Sequence, residues 1–228
     1  MELFITGTDT DVGKTFITAG LAASFASAGA KVGVYKPAQT GATRPNYSED
    51  LEYVKKHVPN IITKASYILP TPASPMVSAD VELVKVSIDK NIIKKDFEGM
   101  KNMCDITLVE GSGGLMVPFA EDFLAGDIPK MLNIPIVIVT RATLGTINHT
   151  LLSVEYAKKK GLKISAIVIN NYPEGTKDIA IKTAPMIIQK LSGVDYVPIV
   201  AKNKNPFGMG GIEIVKSSIN TDRLFDKK

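Results

Sequence analysis

Near-continuous apolar runs alternate along the chain with stretches whose apolar positions recur every three or four residues. Leu3-Phe4-Ile5-Thr6 is the first run. Lys31 to Lys36, Ile106 to Val109, Ile134 to Thr140, Ile164 to Asn170 and Tyr196 to Val200 repeat its character. Unbroken apolar runs, rather than in-and-out alternation, mark parallel strands covered on both faces. Between them, Ile17, Leu21, Phe25 and Ala28 share one helical face and stop before Gly29. Ile147, Leu151, Val154 and Ala157 do the same before Gly161, with Lys158 to Lys160 in the last turn, where cations suit the helix dipole. A third helix is expected over Ile88 to Met103, capped by Ser87. A fourth is expected over Thr176 to Leu191, kinked or split by Pro185. Repeated strand–helix–strand order predicts an α/β fold: an open, mostly parallel sheet with helices on both faces.

Lys36 to Pro75 breaks this rhythm. It is rich in Pro, Thr, Ser and Tyr, with one short helical stretch near Ser48 to His57. It is expected to be an active-site excursion rather than a linker. No repeat or interdomain linker stands out, so residues 1–228 are expected to form a single domain, as 228 residues permit. With 45% hydrophobic and 22% charged residues, extended disorder is excluded. A net charge of +4 suits anionic ligands and is too small to imply nucleic acid. Two His and one Cys argue against structural zinc and exclude an intramolecular disulfide. Ala26-Ser27-Ala28 imitates a signal-peptidase site, but Glu2, Asp9 and Asp11 precede it and Lys14 interrupts the apolar stretch. No apolar run reaches the ~18 residues of a membrane span. The expectation is a cytoplasmic protein without a membrane partner.

The clearest chemical signal is Gly7-Thr8-Asp9-Thr10-Asp11-Val12-Gly13-Lys14-Thr15, set between the first strand and the first helix. Glycines there let backbone N–H groups face phosphates, and the helix start adds positive potential. Lys14 would reach the β- and γ-phosphates, and the Thr15 hydroxyl would ligate Mg²⁺. The loop is one residue longer than the common pattern.

A second signal is Glu110, at the end of the strand that starts at Ile106, followed by Gly111-Ser112-Gly113-Gly114. A carboxylate there can serve the metal of a bound nucleotide, or it can simply cap a turn. A third is Lys36-Pro37 with Thr40-Gly41 at the end of the second strand. Ligands collect at the carboxyl ends of strands, so Lys36 would share a crevice with Lys14; the plain alternative is a solvated lysine. Asp50 is either a second metal carboxylate or a surface acid, with Glu49 as its competitor. His57 reads as solvated and Cys104 as a small buried apolar group.

Together these residues resemble the dethiobiotin synthetase family. The resemblance runs from GTDTDVGKT through YKPAQTG, Ser48-Glu49-Asp50, Ser74-Pro75, Ser78-Ala79, VEGSGG, Gly145 to His149 and Val168 to Asn171, and ends at Val197-Pro198. The tail from Ala201 carries no comparable motif. The resemblance implies a P-loop NTPase-like enzyme, an ATP-dependent cyclo-ligase of biotin biosynthesis. It would close a ureido ring from 7,8-diaminononanoate, CO2 and ATP, with Mg²⁺.

Lys36, Lys14 and Thr10 would be catalytic. ATP would be held by residues 11–16 (Asp11, Val12, Gly13, Lys14, Thr15, Phe16), with Asp50, Glu110, Gly111, Ser112 and Gly113. Asn170, Asn171, Pro198, Ile199 and Val200 would line the adenine pocket. Thr15, Asp50 and Glu110 would surround the metal. Thr40, standing where the family often has Ser, would touch the diamine with Gly114. Gly145, Thr146 and Asn148 would receive the substrate carboxylate across a homodimer interface. Two rivals share the scaffold. Partitioning-type switch ATPases usually carry an extra early lysine (KGGxGKT), absent from residues 7–12. Cobyrinic acid diamide synthases add a glutaminase domain for which this chain is too short.

Overall fold

A computed structural model describes residues 1–82, 86–203 and 211–225. The strands are β1 (Glu2–Gly7), β2 (Val32–Thr40), β3 (Ile62–Leu69), β4 (Ile106–Gly114), β5 (Pro118–Ala120), β6 (Phe123–Leu124), β7 (Ile136–Arg141), β8 (Ile164–Tyr172) and β9 (Ile199–Ala201). The helices are α1 (Lys14–Ser27), α2 (Glu49–His57), α3 (Pro75–Val81), α4 (Lys90–Met103), α5 (Asp127–Leu132), α6 (Thr146–Lys160), α7 (Ile179–Ser192) and α8 (Gly211–Ser218). A 3₁₀ turn, Thr221–Leu224, follows α8.

Seven strands form one sheet in the order β3-β2-β4-β1-β7-β8-β9, and every pairing within it is parallel. β5 and β6 make a separate antiparallel hairpin. The sheet is buried on both faces, as the apolar runs predict. One face packs Ile93, Phe97, Ile128, Val154 and Ile188 from α4 to α7. The other packs Ile17, Leu21, Leu51, Val54, Ile212 and Val215 from α1, α2 and α8.

Several expectations change. β2 continues past Lys36 through Pro37 to Thr40. Its pairing to β4 stops at Tyr35, and from there it pairs only β3, so the N–H that Pro37 lacks is not needed by the ladder. The excursion after Lys36 holds a full strand, β3. Lying at the sheet edge, it is only partly buried and carries Lys64 and Ser66, which hides it from an apolar-run reading. α4 begins at Lys90 and is capped by Asp89, whose carboxylate accepts from Asn91 N, rather than by Ser87. α7 is not split and runs unbroken past Pro185. Part of the tail forms α8, which docks on α1; residues 204–210 and 226–228 lie outside the described residues.

Candidate active site

Strand register assembles the site. β1 pairs Ile5 with Glu110, and β2 pairs Tyr35 with Val109. Lys36 and Glu110 therefore lie side by side midway along β2 and β4 rather than at the strand ends, and the Gly7–Thr15 loop meets them there. Gly7 in that loop leaves no room for a side chain, since a Cβ would lie 2.6 Å from Asp9 O. Gly13, with φ +92°, is the left-handed residue that opens α1; a Cβ there would strike the Asn170 amide at 2.1 Å. Asn170 Nδ2 donates to Val12 O at 2.9 Å, pinning the loop to β8.

Lys36 is 3% exposed, not a solvated lysine. Its Nζ lies 2.9 Å from Glu110 Oε1 and 2.5 Å from Asp50 Oδ2, and it also donates to Gly111 O at 3.3 Å. Asp50 is not a surface acid. It reaches the site because Ser48 caps α2, accepting from Leu51 N, which turns the first helical residues toward Thr15. Its competitor Glu49 turns back instead, accepting from Thr43 N and Oγ1. The Thr15 hydroxyl lies 2.9 Å from Asp50 Oδ1 and 2.8 Å from Glu110 Oε1. One hydroxyl proton cannot serve both carboxylates, so three oxygens converge with more acceptor capacity than donors to fill it.

Burial pulls the Lys36 ammonium down, but Glu110 and Asp50 together hold it above the ordinary lysine range. Burial pushes the Glu110 carboxyl up; the neighbouring charge of Asp50 adds to this and Lys36 opposes it. Asp50 is also pushed up by burial, but Lys36 and the Thr15 hydroxyl bring it below the usual carboxylate range. Burial, then the like charge of Lys36, holds Lys14 below the usual lysine range. Lys14 Nζ rests on Asp9 O at 3.2 Å.

These groups line a cleft of about 270 Å³ together with Thr10, Asp11, Gly13, Gln39, Thr40, Ser112 and Gly113. The Gly111-to-Gly114 run, expected as a turn, continues β4, and Ser112 Oγ there donates to Ala38 O at 2.6 Å, tying the end of β4 to β2. A second groove of about 450 Å³ continues from it, sharing Asp11, Gly13, Thr15 and Asp50 and adding Phe16, Tyr53, Asn170, Asn171 and Asn203. Asn170 Oδ1 is buried there with no partner among the described residues.

Other expected residues stand apart. Gly111 is buried against the Phe4 ring. Val12 and Val200 are packed in the core, Pro198 is buried and Ile199 is exposed; β9 lies beside β8 without lining the groove. Gly114 lies outside the cleft, on a neighbouring surface with Thr8, Met116, Leu152 and Tyr156. Gly145 and Asn148 are exposed at the start of α6, and Thr146 turns its hydroxyl inward to Thr140. His57 is buried, not solvated: Nδ1 contacts Tyr53 O at 2.8 Å and its ring packs against Tyr53. Cys104 is half-buried at the end of α4 rather than fully buried.

Gln39, Tyr53, Asn203 and Arg141 were not singled out by the sequence. Gln39 lies three residues beyond Lys36 in the same YKPAQTG run, and Tyr53 shares a helical face with Asp50; those spacings were the available signal. Arg141 bonds Asp9 Oδ2 at 2.9 Å and Thr10 O at 3.0 Å.

A family model described as an AAA domain matches residues 1–205. A protein of Bacillus subtilis named ATP-dependent dethiobiotin synthetase BioD is 34% identical over 227 residues, covering 98% of this chain and 97% of the relative. The equally named protein of Methanocaldococcus jannaschii is 34% identical, covering 89% and 95%. That of Bacillus velezensis is 37% identical, covering 88% and 86%. Among solved structures, the cell division ATPase MinD of Pyrococcus furiosus aligns with a TM-score of 0.57 at 18% identity over 94% of this chain and 95% of that one. A ParA family ATPase of Chlorobium tepidum aligns at 0.56 with 12% identity over 95% and 92%. These structural likenesses establish the P-loop NTPase-like α/β fold and nothing finer. Among the described residues no helix is long and apolar enough to cross a membrane.

Proposed function

The chain belongs to the ATP-dependent dethiobiotin synthetase family, and from that premise we propose how its own residues close the ureido ring from 7,8-diaminononanoate, CO2 and ATP. The observation that carries the proposal is the convergence of Lys14, Lys36, Thr15, Asp50 and Glu110 on one cleft that opens into a second groove.

Thr15, Asp50 and Glu110 fit Mg²⁺. Glu110 Oε2 is buried with no partner among the described residues, and a hard cation with few protein ligands would satisfy it. Bound with ATP, the ion would neutralise charge on the phosphate oxygens. The loop backbone and Lys14 hold the phosphates, with the α1 start behind them. The base occupies the groove between Phe16, Tyr53 and Asn170. With Nδ2 committed to Val12 O, Asn170 offers its free Oδ1, an acceptor suited to the exocyclic amine of adenine.

One amine of the substrate captures CO2 as an anionic carbamate. Lys36, kept charged by Glu110 and Asp50, attracts the carbamate and the γ-phosphate to the same place, and Thr10 and Thr40 flank them. A carbamate oxygen attacks the γ-phosphorus and ADP leaves, giving a carbamic–phosphoric anhydride. The second, neutral amine attacks the carbamoyl carbon, phosphate departs, and the phosphate takes the released proton. Ser112 and Gly113, at the end of β4, line the cleft on the diamine side, while Gly111 and Gly114 stand back from it.

The substrate carboxylate reaches the exposed α6 start at Gly145 and Asn148 across a homodimer interface, with Thr146 turned inward behind it. Support comes from the exposure of Gly145 and Asn148 and from the exposed apolar residues Met116, Leu144 and Leu152. A cytoplasmic location agrees with the lone cysteine. Incubation with Mg-ATP, the diamine and ¹³C-bicarbonate should yield dethiobiotin one mass unit heavier. Absence of a ureido product under conditions that retain ATP binding would overturn the proposal.

A further inference from the structure

Thr140 is the penultimate residue of β7, at 0% exposure, and its hydroxyl is a hub. Thr8, the second residue of the phosphate loop, donates to Thr140 Oγ1 at 3.2 Å. Thr150, in α6, donates to it at 3.0 Å. Thr146, the first residue of α6, lies 2.8 Å away by its own hydroxyl. A hydroxyl has two lone pairs and one proton. Thr8 and Thr150 fill the lone pairs, so the Thr140 proton goes to Thr146, and the hub is saturated.

This pattern is not the default for threonine. A helical Ser or Thr usually turns its hydroxyl to the carbonyl four residues back. Ser24, Ser153 and Thr183 do so here, bonding Gly20 O, His149 O and Ile179 O. Thr150 forgoes Thr146 O and reaches across to the sheet. Valine would pack these buried positions equally well, so what the hydroxyls add is direction. They fix the α6 start, in angle and distance, to the strand end and to the phosphate loop. Thr8 keeps its place independently, because its backbone N–H also bonds Val139 O at 2.9 Å. The hub's main dependent is therefore α6.

We propose that Thr140 is a positioning residue for the reaction, locking the first turn of α6 where it receives the substrate carboxylate. The inference rests on the reading that the α6 start is that carboxylate site. In the homodimer the α6 start serves the partner's diamine while the loop holds this protomer's own phosphates. The hub thus joins one site's phosphate loop to the other site's carboxylate end.

The test compares 7,8-diaminononanoate with the same diamine lacking its carboxylate, 2,3-diaminooctane. Wild-type enzyme should strongly prefer the natural diamine. Thr140→Val should raise KM for it at least about tenfold, with little change in kcat or in Mg-ATP affinity. On 2,3-diaminooctane the variant should match wild type, because the contact it misplaces is absent. Thr140→Ser, which keeps the hydroxyl, should restore the natural KM. An equal loss on both substrates, or no loss on either, would overturn the role of Thr140 while leaving the carboxylate site standing. Wild-type enzyme indifferent to the carboxylate would sink that reading and the inference with it. Should Thr140→Val fail to fold, Thr150→Val cuts one arm only; it must show the same selective KM increase, and an unselective loss counts against the hub.

Discussion

Lys36 shows how a residue's meaning depends on its neighbours. A lysine is ordinarily solvated, but strand register and the α2 start set this one, midway along β2, between Glu110 and Asp50. A buried cation between carboxylates is kept charged, and it stands where negative charge gathers during phosphoryl transfer. Lys36→Ala in the presence of Mg²⁺ should reduce turnover about 10²–10³-fold, with Mg-ATP affinity nearly unchanged. Steady-state kinetics and calorimetric titration measure the two; an equal loss in affinity would assign Lys36 to nucleotide binding. Lys14, Thr15 and Glu110 were legible in the sequence because each sits in a motif that directly follows an apolar run. Asp50 was ambiguous beside Glu49 because both follow a helix cap, and only the turn set by Ser48 separates them. Tyr53 and Arg141 carry no motif; they join the site through helix packing and a strand end.

Among the elements, β1, β4, β7 and β8 and the helices α1 and α6 could be read from periodicity, since their burial is continuous or one-faced. β3 could not, because an edge strand mixes polar residues into its run, and α8 is short and lies in a tail without motifs. The docking of α8 leads to a prediction that separates packing from propensity. A Cβ at Gly20 would lie 2.3 Å from Val215 Cβ. Gly20→Ala should gain about 1 kcal/mol of helix propensity but lose about 1–3 kcal/mol to overpacking. Urea unfolding should therefore show a net loss; a net gain would mean that α8 does not press on α1.

Asp127 offers another test, because it accepts from Leu124 N and pairs Lys160, joining β6, α5 and the end of α6. Burial raises its carboxyl, but the Lys160 and Leu124 bonds outweigh that and bring it below the usual aspartate range. A depressed carboxylate stabilises the fold above the unfolded pKa, and the contribution is lost as pH falls through the folded value. Wild type should thus melt about 1–3 °C above Asp127→Asn near neutrality. That gap should close once the pH falls below the usual aspartate range; a gap that persists there would place the effect in packing instead.

At the scale of the molecule, the fold does not choose the activity. The same fold aligns with MinD and ParA ATPases, and one scaffold serves many chemistries. On that scaffold this chain sets a second lysine on β2, a glycine-rich end of β4 after Glu110 and an α6 start exposed beside apolar residues. Light scattering under assay conditions should give twice the 24.5 kDa chain mass, and Leu144→Asp should weaken the dimer and activity together. A fully active monomer would contradict the two-subunit site. The most direct test of the whole account is phosphate release from Mg-ATP with each co-substrate withheld in turn. The account predicts release only when diamine and bicarbonate are both present, one phosphate for each dethiobiotin formed. Steady ATP turnover that ignores the diamine would contradict it, leaving a phosphate site that serves some other reaction.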